Sequence, residues 1–99
     1  MNREALMVIA LANKAGKLIS GEDAVLESIR NRTACLTVIS EDASPNTKKR
    51  FQDKCRFYGV DCMEGASKRE TAAMLGKEER SAIAFSDEGL KQLFLKKLK

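Results

Sequence analysis

Cys35-Leu36-Thr37-Val38-Ile39 is the segment that most restricts the folds open to this chain. It is β-rich and almost unbroken in apolar character, and a strand of that kind has no polar face to turn to water. It reads as a central strand, buried on both faces. The flanking sequence supplies helices to cover it. Arg3 to Lys14 carries Ala5, Leu6, Ile9, Ala10 and Asn13 at helical spacing, ended by Gly16. Lys17-Leu18-Ile19 is a short extended segment. Ser20 then reads as an N-cap, with Asp23 as the acidic half of a capping box, opening a helix that turns Val25, Leu26 and Ile29 inward and stops near Asn31.

The second half repeats the alternation. Ser44-Pro45 is an N-cap followed by proline at the first helical position, with Phe51, Cys55 and Tyr58 as the inner stripe and Gly59 as the terminator. Val60 to Met63 is a strand. Ser67-Lys68-Arg69-Glu70 is a full capping box whose helix ends at Gly76. Ala82 to Phe85 is the last strand, and Ser86 opens a final helix with Leu90, Leu93, Phe94 and Leu98 at core spacing. Strands alternating with helices predict an α/β class, a sheet sandwiched between helices, in a single domain over residues 1–99. A hydrophobic fraction of 43% is enough for one core without a disulfide or a metal.

Composition removes most chemistries. There is no histidine, so no Ser-His or Cys-His nucleophile can form. Cys35, Cys55 and Cys62 lack C-x-x-C spacing and read as small core residues; no metal or other cofactor is expected. Gly16-Lys17 is no P-loop, because Leu11 and Leu18 stand where a glycine and a Ser or Thr are needed, and no G-x-G-x-x-G occurs. Glu41-Asp42 follows the central strand, but two adjacent carboxylates without a third ligand make a solvated turn rather than a metal site. The chain is expected to be no enzyme. No apolar run reaches the ~20 residues of a membrane span, and the early acid Glu4 argues against a signal peptide, so a cytoplasmic protein is expected.

What remains is binding. Three capped helices, opened by Ser20, Ser44 and Ser67, each follow a strand. Were they to share a rim, their free N–H groups would suit phosphates or electron-rich base edges. Gly21 would let a nucleic-acid backbone approach closely, with Lys14 and Lys17 adding positive charge beside it. On that reading, a valine at Gly21 should block the approach and leave the fold intact. Lys48, Lys49, Arg50, Lys54 and Arg56 make one helix basic, either as a solvated face or as phosphate contacts. The net charge of +4 permits a polyanion without demanding one. With one tyrosine and no tryptophan, a platform of interleaved stacking aromatics is not expected, and shape and backbone should dominate any recognition of RNA.

Four stretches carry a family resemblance: Gly16-Lys17-Leu18-Ile19-Ser20-Gly21-Glu22-Asp23; Ser40-Glu41-Asp42-Ala43-Ser44-Pro45-Asn46-Thr47-Lys48-Lys49; Asp53-Lys54-Cys55; and Leu75-Gly76-Lys77. Over nearly its whole length the chain resembles the kink-turn RNA-binding ribosomal proteins, of the archaeal large-subunit type. That resemblance implies a three-layer α-β-α sandwich with a mixed, roughly four-stranded sheet. It also implies a structured RNA partner, ribosomal or regulatory, or the ribosome itself, bound by a monomer. In the family an asparagine, a glutamate and a lysine after the motif glycine meet sheared G·A pairs and phosphates. Here Asp23, Ala24 and Glu27 stand at those positions. The implied contact surface is Lys14, Lys17, Ser20, Gly21, Glu22, Asp23, Glu27, Glu41, Asp42, Lys48, Lys77, Arg80 and Ser81. A second reading, favoured by Ala24 and Glu27, is a protein-interaction module of the same fold that has lost its affinity for RNA.

Overall fold

The computed structural model describes residues 1–99. The elements run α1 (Arg3–Lys14), β1 (Leu18–Ser20), α2 (Glu22–Arg30), β2 (Leu36–Ile39), α3 (Pro45–Tyr58), β3 (Asp61–Glu64), α4 (Lys68–Leu75), β4 (Ala82–Phe85) and α5 (Glu88–Lys97). The four strands form one mixed sheet in the order β1-β4-β2-β3. β2 and β3 are parallel, whereas β4 runs antiparallel to both of its neighbours, β1 and β2.

Strand alternation divides the core in two. Leu36, Val38, Ile83 and Phe85 face α1, α4 and α5, and Phe85 meets Phe94 with ring centroids 4.8 Å apart. Ile39, Ala82 and Ala84 face α2 and α3, where Val25, Ile29 and Phe51 fill the space left by the two alanines. The result is a three-layer α-β-α sandwich. Every residue of β2 and β4 is buried, as the apolar run Cys35–Ile39 required, although the strand itself begins at Leu36. Each of the fully buried phenylalanines, Phe51, Phe85 and Phe94, contributes about 1.5–3 kcal/mol to this packing.

Two caps differ from the sequence reading. Ser20 is the last residue of β1, and Gly21 is the N-cap of α2, with no side-chain capping bond. The helix would have to start one residue earlier for Ser20 to cap it and pair with Asp23, and pairing of Ser20 with Ile83 in the sheet prevents it. Likewise Asp87, not Ser86, caps α5, its carboxylate accepting from the Leu90 N–H at 2.9 Å; the Ser86 hydroxyl instead donates to the Lys17 carbonyl at 3.1 Å. The caps at Ser44 and Ser67 form as expected, the latter a reciprocal box with Glu70. In the inner stripe of α3, Phe51 and Cys55 are buried but Tyr58 is only half-buried. Of the three cysteines, all free, only Cys55 is fully buried. The neighbouring Cys55 thiol and burial together push the ionisation of Cys62 up.

Candidate functional site

The strand directions decide where the loops meet. β1, β2 and β3 point the same way, so their carboxyl ends, followed by the starts of α2, α3 and α4, lie on one rim. Antiparallel β4 begins at that same rim, so the segment leading into it arrives there too. Backbone hydrogen bonds join these pieces. The Gly21 N–H donates to the Ala82 carbonyl at 3.2 Å, the Ser40 N–H to the Ser81 carbonyl at 2.8 Å, and the Glu41 N–H to the Ala66 carbonyl at 2.9 Å. Ala66 is buried and holds a left-handed conformation at φ +61°, which costs a residue with a Cβ about 1–2 kcal/mol. That cost falls at the turn where the β3–α4 connection locks onto the rim.

Between α2 and the β4 approach lies an open polar cleft of about 370 Å³, lined by Gly21, Glu22, Asp23, Glu79, Arg80 and Ser81. Gly21 sits at its edge with φ +97° and ψ 147°, a region accessible almost only to glycine. Open space surrounds the position a Cβ would take. The need for glycine there is thus conformational before it is steric. This overturns the expectation that valine at Gly21 leaves the fold intact: any side chain strains the junction of β1 and α2. Arg80 forms no ion pair, and its Nε is buried without a hydrogen-bond partner, so the guanidinium is incompletely satisfied by the protein. Asp23 is exposed and also unpaired, free to accept hydrogen bonds.

Other residues expected at the surface are held by the protein itself. The Asp42 carboxylate accepts from the Lys68 N–H at 2.9 Å, so it satisfies one of the free donors at the start of α4. Lys48 is tied to Glu64 at 3.0 Å, and Glu22 to Arg50 at 3.3 Å. Glu27, one turn beyond Asp23 on the exposed face of α2, pairs with Arg30 at 3.2 Å. Within the α4 cap, the Ser67 N–H donates to Glu70 at 2.8 Å, and that bond holds the Glu70 carboxyl below its usual range.

Lys14 and Lys17 lie elsewhere. They precede β1, at the end of the sheet opposite the rim, where the Lys17 carbonyl accepts from Ser86. The path along β1 from Lys17 to Gly21 is about 13 Å. Lys77 is exposed at the end of α4, before the cleft-lining part of its loop. Ser20, Gly21, Glu22, Asp23, Glu41, Asp42, Arg80 and Ser81 do come together at the rim. Glu79, within the charged Lys77–Ser81 loop, also lines the cleft, and sequence reasoning missed Ser40, which is 3% exposed and donates its hydroxyl to the Arg80 carbonyl at 2.7 Å. A serine closing an otherwise apolar strand was the available signal for Ser40.

A four-stranded mixed sandwich with an open polar cleft at the strand-to-helix rim defines a class, and the family pattern agrees. The chain belongs to the Ribosomal protein L7Ae/L30e/S12e/Gadd45 family, whose pattern matches residues 3–95. Among its relatives, RNA-binding protein YlxQ of Bacillus subtilis (strain 168) is 43% identical over 82 residues, covering 83% of this chain and 82% of that protein. RNA-binding protein YlxQ of Enterococcus faecium is 41% identical over 97 residues, covering 98% and 89%. A solved structure of a Bacillus halodurans protein of unknown function superposes with a TM-score of 0.89 at 28% identity, covering 96% of each chain. The 15.5 kD RNA-binding protein of Giardia lamblia shares the fold, with a TM-score of 0.80 at 16% identity over 97% of this chain and 86% of that one.

Proposed function

We propose that this protein binds structured RNA of the kink-turn type through the rim cleft and catalyses no reaction. The observation that carries the reading is the convergence of Gly21, Asp23 and the incompletely satisfied Arg80 in one open polar cleft. Asp23 can accept from the amino and imino groups of a guanine edge, and Arg80 can donate to a phosphate or to guanine acceptors. The names of the two YlxQ relatives support an RNA partner. Ribosomal or regulatory RNA in the cytoplasm fits the same picture. The three free cysteines favour a reducing compartment, and no helix is long and apolar enough to cross a membrane.

The cleft also carries three carboxylates, Glu22, Asp23 and Glu79. They favour base edges over phosphates as its targets, and they leave room for a second reading in which a basic peptide docks there. Titration with a kink-turn RNA, at two salt concentrations and against the same RNA with its G·A pairs replaced by Watson–Crick pairs, separates the two. Binding that is lost with the G·A pairs supports the RNA reading. Equal or absent binding of both RNAs sinks it.

A further inference from the structure

We propose that the RNA interface continues from the rim along the outer face of α3 and ends on Phe57, which stacks against an unpaired nucleobase. This inference rests on the RNA reading above and extends it to a surface that the cleft does not include. Phe57 is 79% exposed, the most exposed of the three large hydrophobic side chains that face solvent. Its ring stands edge-on to Tyr58, with centroids 4.9 Å apart at 81°. Most of the ring surface is left open to solvent.

The surroundings decide what the ring is for. A docking site for a folded protein partner places its aromatic anchor within a larger apolar patch. No second large hydrophobic side chain is exposed beside Phe57, and around it in a shallow depression are Arg50, Asp53, Lys54 and the half-buried Tyr58. Arg50, Lys54 and Phe57 follow i, i+4, i+7 spacing, so they form one stripe about 10 Å long on the helix. The stripe starts at the rim, because Arg50 is paired with the cleft residue Glu22 at 3.3 Å. Lys54 forms no ion pair and lies between the two. A cation followed by an exposed aromatic face is the arrangement by which proteins hold a single-stranded backbone and stack its base, and cleft and stripe are continuous.

The test uses the full chain and a kink-turn RNA in two forms, one ending flush and one with a short single-stranded extension carrying 2-aminopurine, tried on each strand. The parent should bind one extended form more tightly than the flush RNA and quench its fluorescence. Phe57→Ala should remove both effects, lowering affinity for that extended RNA about five- to hundredfold while leaving the flush RNA unaffected. Phe57→Tyr should restore them. Equal binding of the extended RNA by parent and Phe57→Ala overturns the inference and leaves the ring to a protein partner, while intact flush binding keeps the cleft reading. An equal loss for both RNAs also overturns it, since Phe57 would then act through the rim or the fold. If the parent binds neither RNA, both readings fall together.

Discussion

The Ser40 hydroxyl donates to the Arg80 carbonyl at 2.7 Å, joining residues forty positions apart in the chain. The neighbouring Ser40 N–H donates to Ser81, so one residue at the end of β2 holds the segment that carries the cleft arginine. Ser40→Ala removes a buried donor and leaves the Arg80 carbonyl without it. The expected cost is about 1–2 kcal/mol in urea unfolding, with faster amide exchange across 79–81. Unchanged exchange in that loop would show that packing alone positions Arg80.

Arg80→Met should separate binding from stability. The substitution removes a buried nitrogen that has no partner, so unfolding free energy should stay within about 0.5 kcal/mol of the parent or rise. Affinity for a kink-turn RNA should fall, and the log-log salt slope should flatten by roughly 0.7–0.9 if a phosphate contact is lost. Lys17→Ala is the contrast. Lys17 lies at the far end of β1, so its loss should leave the slope unchanged. A slope that changes with Lys17 and not with Arg80 would move the interface to the opposite rim.

Gly21→Ala should destabilise the protein by about 1–3 kcal/mol, because φ +97° is closed to a residue with a Cβ. RNA affinity measured on the folded fraction should fall as well, since relieving the strain moves the start of α2. Denaturation and titration of the same preparation check both. A parental unfolding midpoint would mean that the glycine conformation is not required.

Glu27→Lys is expected to strengthen RNA binding by about 1 kcal/mol or less, with a gain that shrinks at high salt. It also breaks the exposed Glu27–Arg30 pair, at a cost to stability of no more than about 0.5 kcal/mol. Titration at two ionic strengths reads the first effect and thermal unfolding the second. No gain at low salt would place this face of α2 away from the RNA.

Glu70 gives the acid limb of stability a defined contributor. Its folded pKa is depressed by the Ser67 N–H, so its contribution is full above the ordinary glutamate value of about 4.3 and is lost as pH falls through the lower folded value. Glu70→Gln keeps an acceptor for that N–H but cannot titrate. Urea unfolding between about pH 3 and pH 6 should therefore fall less steeply for the variant than for the parent. Parallel profiles would show that the carboxylate has the same pKa folded and unfolded.

The sequence by itself determined the elements: the doubly buried central strand, the caps at Ser44 and Ser67, the terminators Gly59 and Gly76, and the alternation that makes a sandwich. These are readable because periodicity and capping act over a few residues. It also placed Gly21 and Asp23 at a helix start, and the family resemblance added Arg80 and Ser81. The tertiary structure decided which of these meet. Antiparallel pairing of β4 between β1 and β2 brings the segment before Ala82 to the rim beside Gly21, sixty residues earlier in the chain, and leaves Lys14 and Lys17 at the other end. It also made Ser20 a strand residue and left Phe57 bare beside a buried neighbour two positions away, Cys55. Strand order and register arise from long-range pairing and from how two layers of helices fit one sheet, and no window of local sequence contains both partners of such a contact.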